Sequence, residues 1–249
     1  MKRLLTVLTL FTVVIANASA DVRISRPNSL VDVQVIDRTS GQTLETWRHH
    51  GRIYVAGTPG NRYAISIQNR TGKRILTVLS VDGINAVSGE TSALSQRGYI
   101  LSAHQKAEIA GWRKNLNEVA AFYFTQLPDS YAARTDRPQN VGVIGVAVFR
   151  EYEPPRLSIE DVGAPVSRSG AKKAARPAPA AAQESLGTGH GERIESTVTT
   201  SEFQRASKGP AEIVTIYYDS HANLVARGII PARPREPQAF PGNYVPDPK

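Results

Sequence analysis

The residues best equipped for chemistry in this chain sit in a few short clusters. Trp47-Arg48 and Trp112-Arg113 each set an indole beside a guanidinium. Such a pair serves cation–π contact, stacking on a sugar, or anchoring at a sheet edge with the charge at the rim. Gly111-Trp112-Arg113-Lys114 is the more promising of the two, because it is expected in a loop between strands, where binding residues collect. Ser130 to Thr135 falls in a second loop, and the two would form one surface if they share an end of the fold. Trp112, Arg113, Tyr131 and Arg134 are therefore the candidate binding residues.

The remaining clusters point away from catalysis and metals. His49 and His50 are adjacent, so on a strand they face opposite ways and do not chelate one ion, and only Glu45 lies near them. His104, His190 and His221 each stand alone and read as surface residues. Asp82-Gly83-Ile84-Asn85 lacks the further acidic positions and the bidentate Glu of a calcium loop, and reads as a hairpin turn. Neither Ser167-Arg168-Ser169-Gly170 nor Ser185-Leu186-Gly187 forms a Gly-x-Ser-x-Gly elbow. Gly187 to Gly191 is glycine-rich but neither follows an expected strand nor opens a helix, so it reads as a flexible joint, not a phosphate cradle. No catalytic residue, metal site or cofactor is assigned.

The elements that must position these residues are strands. Tyr63, Ile65 and Ile67 alternate with Ala64, Ser66 and Gln68, the period of a half-buried strand. Arg74 to Val81 is apolar on nearly both faces, as a central strand is, and Asp82-Gly83 turns it back into Ile84 to Val87. Leu30 to Ile36, Thr43 to Trp47, Arg52 to Ala56, Glu118 to Thr125 and Asn140 to Phe149 read as further strands, with weaker pieces at Gly98 to Leu101 and Glu108 to Ile109. Many strands at roughly ten-residue spacing predict an all-β fold, an antiparallel β-sandwich, over residues 22–152. After it come a Pro/Ala-rich linker (153–190) and a C-terminal β-meander (191–230) with strands at Glu195–Arg205, Glu212–Tyr218 and Leu224–Ile230. A Pro-rich tail of six prolines ends the chain (231–249). A meander of this size is marginal alone and is expected to dock on the main domain or a partner.

Met1 to Ala20 has Lys2 and Arg3, an apolar run from Leu4 to Ile15, and Ala18-Ser19-Ala20: a signal peptide with a cleavage site. That predicts a periplasmic or secreted protein of 229 residues without a transmembrane span. There is no cysteine, which excludes disulfides, thiolate metal sites, cysteine catalysis and a lipidated-Cys anchor. The net charge is +8; without Lys2 and Arg3, 28 basic residues stand against 22 acidic, or +6. That excess suits general solubility or contact with anionic envelope components, and no nucleic-acid motif accompanies it.

Val81-Asp82-Gly83-Ile84-Asn85, Gly111-Trp112-Arg113-Lys114, Asp129-Ser130-Tyr131-Ala132-Ala133-Arg134 and Asn140-Val141-Gly142-Val143-Ile144-Gly145-Val146 resemble stretches of a group of uncharacterised exported proteobacterial proteins. The resemblance covers roughly Arg62 to Glu151, with Ile213 to Ile230 as a second, weaker stretch. It implies a bacterial envelope setting and transfers no activity, cofactor or site. The expected function is a non-enzymatic binding or structural module of the envelope, partnered by an envelope protein or an anionic component. The alternative is a hydrolase or carbohydrate-active enzyme whose carboxylates lie far apart in sequence.

Overall fold

A computed structural model describes residues 28–154 and 185–232. The segment read as a signal peptide (1–20), most of the stretch read as a linker and most of the Pro-rich stretch 231–249 lie outside the described residues. The strands are β1 (Val31–Asp37), β2 (Thr46–His49), β3 (Arg52–Gly57), β4 (Arg62–Asn69), β5 (Ile75–Val81), β6 (Ile84–Asn85), β7 (Tyr99–Leu101), β8 (Lys106–Ile109), β9 (Gly111–Arg113) and β10 (Glu118–Gln126). A single helical turn, α1 (Tyr131–Arg134), precedes β11 (Val143–Arg150), β12 (Leu186–Glu195), β13 (Glu212–Ser220) and the short helix α2 (His221–Ala226).

The strands build a β-sandwich. One sheet runs β1-β4-β10-β12, with β8 on β4 and β9 on β10. The other runs β2-β3-β13-β11-β5-β6, with β7 on β5. In the first sheet β4 and β10 touch over two residue pairs only, and the continuous run of β8 and β9 fills the wedge where they diverge. The two-residue rhythm decides which side chains face inward. Val31, Val33, Val35, Tyr63, Ile65, Ile67, Phe122 and Phe124 from one sheet meet Leu79, Val81, Ile144, Val146, Val148 and Ile216 from the other. Each such buried side chain contributes roughly 1.5–3 kcal/mol, which is how a disulfide-free chain holds its two sheets together.

The C-terminal segment is built differently from the expected three-strand meander. β12 begins at Leu186, inside the stretch read as the linker, takes in the glycines read as a flexible joint, and pairs antiparallel with β10 along its whole length. Its glycines are there for close approach: a Cβ at Gly189 would overlap the Tyr123 ring on β10. β13 joins the other sheet, antiparallel to β11 and parallel to β3. Residues 196–204, expected as a strand, carry no strand; they run from one sheet to the other, and Phe203 packs on Leu76, Val78, Ala147 and Phe149 on the outer face. Arg205 follows, its guanidinium 4.0 Å over the Phe149 ring.

Leu224 to Ile230, also expected as a strand, begins in α2 instead. Ser220 caps that helix by accepting from the Asn223 N–H (3.2 Å). Leu224, Ile229 and Ile230 then cover Tyr54 on the outer face of the second sheet. Burying one side of a short amphipathic turn outweighed the β-preference of Val225, Ile229 and Ile230. Among the described residues no helix is long and apolar enough to cross a membrane.

Candidate functional site

Two polar clusters flank β12, and they differ in how much of their hydrogen-bonding capacity is spent. The first lies in the core. Asp82 and Gly83 adopt left-handed backbone angles (φ 53° and 75°), the hairpin turn expected from the sequence. That turn aims the Asp82 carboxylate inward, where it is only 1% exposed. Tyr218 donates to its Oδ1 at 2.5 Å, the Gly142 N–H to the same oxygen at 3.0 Å, and the Thr188 N–H to Oδ2 at 2.8 Å. The Thr188 hydroxyl bridges Tyr218 Oη and Tyr63 Oη, at 2.6 Å from each.

Four buried polar side chains thus form one closed chain that ties β12 and β13 to the turn after β5. Burial raises the Asp82 carboxyl to about 6, against the pull of Tyr218 and the backbone N–H groups. Burial, together with the Asp82 charge, pushes the Tyr63 and Tyr218 phenols well above their ordinary value. Every side-chain oxygen is engaged and all four residues are at most 3% exposed, which suits the cluster to holding the fold. The sequence had only the turn; Thr188 and Tyr218 lie more than a hundred residues downstream, and no local signal joins them to Asp82.

The second cluster is at the open corner of the sandwich, two residues further along β12. Ser130, fully buried, caps α1 by accepting from the Ala133 N–H and donating to the Leu127 carbonyl. This fixes Tyr131 over β9 and β12. The Tyr131 ring lies 4.9 Å from Trp112 and 5.2 Å from His190, and Trp112 and His190 are parallel at 6.3 Å. Lys114 Nζ stands 3.5 Å from His190 Nε2. Partial burial holds the His190 imidazole below its ordinary value, and the Lys114, Arg134 and Arg193 charges lower it further. Glu118 answers Arg193 at 3.5 Å.

The structure sets the Trp112 ring 4.9 Å from Tyr131, which shares α1 with Arg134, but not in the loop-on-loop arrangement the sequence suggests. Trp112 is in a strand, not a loop, and is only 2% exposed, so its face packs edge-on against Phe122 and offers no open stacking platform. Its Nε1–H is buried without a hydrogen-bond partner. Arg113 points elsewhere: it donates to the Ser196 carbonyl (2.8 Å) and hydroxyl (3.0 Å), fastening the end of β12. Arg134, the last residue of α1, is exposed. His190, read from the sequence as a lone surface residue, sits at the centre of the group. Its partners Lys114 and Tyr131 come from distant segments, so sequence spacing carried no hint of them.

The chain matches no family model, no curated protein and no solved structure. The corner is thus weighed on its own geometry: an exposed imidazole on an aromatic base, with the Lys114 ammonium 3.5 Å from it and Arg134 exposed at the end of α1.

Proposed function

We propose that the protein is an exported, non-enzymatic module of the bacterial envelope that binds an anionic component through the His190 corner. Export rests on the charged, apolar and Ala-x-Ala pattern of residues 1–20. The observation carrying the binding reading is geometric: Lys114 Nζ stands 3.5 Å from Nε2 of the exposed His190, on the Tyr131 and Trp112 rings, while the exposed Arg134 adds a charge that acts on the same imidazole. Cations gathered at that spacing repel one another, and an anion seated among them relieves the repulsion. A non-catalytic role is supported by Asp82, the strongly displaced carboxylate among the described residues, being buried in the core with its oxygens occupied.

The test is retention of mature protein (21–249) on immobilised polygalacturonate and on anionic phospholipid vesicles, against neutral dextran and zwitterionic vesicles. A Lys114→Glu, Arg134→Glu variant should bind the anionic matrix at least about tenfold more weakly, with the loss growing at low salt. Equal retention of variant and wild type, or no retention of either, overturns the reading.

A further inference from the structure

β13 is an interior strand for only part of its length. β11 pairs with it from Glu212 to Tyr217. On the other side β3 joins only at Ile216, opposite Ile53, because β3 starts at Arg52 after the turn at His50-Gly51. The Tyr218 N–H donates to the Gly142 carbonyl. By two-residue alternation Ile216, Val214 and Glu212 also direct their backbone groups at β11. The backbone groups of Ile213 and the N–H of Thr215 then face the side where β3 has not yet begun, and among the described residues no strand pairs with them there.

A cavity of about 200 Å³ opens at this same place. Its apolar wall is Val31, Val33, Ile53 and Val214. Ile213, 56% exposed, stands at its edge. The two charged groups on its rim are not equivalent. Glu212 is already spent, accepting from Ser29 Oγ (2.5 Å) and the Leu30 N–H (2.6 Å). Arg52 is exposed, and its guanidinium rests over the Tyr217 ring at 5.2 Å, leaving its N–H groups for an anion.

We propose that this notch receives the C-terminal end of a partner polypeptide, extended and ending in an aliphatic residue. It adds to β13 in line with β3. Running parallel to β13, as β3 does, brings its carboxylate to Arg52 at the Gly51-Arg52 turn; running antiparallel would bring an ammonium group to the same cation. The Ile213 backbone groups and the Thr215 N–H, which no described strand engages, supply strand hydrogen bonds, and the cavity takes an inward aliphatic side chain. This surface is separate from the His190 corner and does not depend on it.

Fluorescence anisotropy with an N-terminally labelled Gly-Ser-Gly-Thr-Val-Thr-Val peptide tests it, comparing the free C-terminal acid, its amide, and a version with proline as the third residue from the end. The acid should bind, with the amide and the proline version each at least about tenfold weaker. Arg52→Gln, a surface change away from the core, should weaken the acid to the level of the amide and leave the melting temperature alone. Equal affinity for acid and amide, indifference to Arg52→Gln, or no binding of the acid up to millimolar concentration would each overturn the proposal.

Discussion

Thr188 and His190 are two residues apart on the same face of one strand, yet they belong to opposite kinds of polar cluster. Thr188 is fully buried and joins Tyr63, Tyr218 and Asp82 in a chain whose partners are all within the protein. His190 is exposed; of the basic groups that act on it Arg193 is answered by Glu118, whereas Lys114 and the exposed Arg134 have no carboxylate partner among the described residues, and the Trp112 indole N–H goes unpaired. The difference teaches where to look for function in a fold without catalytic motifs. A polar cluster that satisfies itself holds the fold; one that leaves charge unanswered is available to a ligand. At His190 the ring of Tyr131, from α1, lies 5.2 Å away and leaves the imidazole exposed.

The comparison breaks most decisively at Asp82. Asp82→Ala would leave Tyr218 Oη, the Thr188 N–H and the Gly142 N–H without their acceptor. With each orphaned buried group costing about 1–3 kcal/mol, a loss of roughly 3 kcal/mol or more is expected in urea unfolding. A loss below about 1 kcal/mol would show that water reaches the cluster and that it is not closed.

A second, somewhat smaller effect is pH dependence. The folded Asp82 carboxyl titrates near 6, above its ordinary 3.8, so the folded state favours its protonated form. The stability this group contributes is fully present below 3.8 and is lost as pH rises through 6. The difference of about two pH units corresponds to roughly 3 kcal/mol at most. Asp37 works in the opposite sense: burial pushes its carboxyl up, but hydrogen bonds from Asn61, Ser40 and Thr39 outweigh this and hold it below 3.8. Its contribution is present above 3.8 and fades as pH falls. Wild-type protein should therefore lose unfolding free energy between pH 4.5 and 7.5, whereas Asp82→Asn, which cannot titrate, should show a flatter profile over that range.

The smallest effect sharpens the other side. Lys114→Gln removes one of the charges beside His190, so the imidazole pKa read by NMR should move up toward its ordinary value, with stability unchanged within about 0.5 kcal/mol. An unmoved His190 would mean that the basic groups do not act on it and that the corner has no concentrated charge.

Much of this architecture is legible in local pattern. The alternation of Tyr63, Ile65 and Ile67, the apolar run from Ile75 to Val81 and the Asp82-Gly83 turn each specify their own conformation, and all three form as read. The reading fails where a residue's role depends on a distant neighbour. Gly187 to Gly191 looks like a joint until β10 lies beside it, with Tyr123 filling the space a side chain would need. Trp112 looks like a loop anchor until β9 pairs with β10 and turns it into the core.

By itself, then, the sequence determined that the chain is β, where most strands run, and that no cysteine chemistry takes part, because period, turn residues and composition are local properties. Only the tertiary structure decided that β12 and β13 enter different sheets, that Leu224 begins a helix-covered face, and that His190 meets Lys114 and Tyr131. Those outcomes follow from which faces are left to bury once the other strands are in place, and that competition is settled by contacts between residues far apart in the chain.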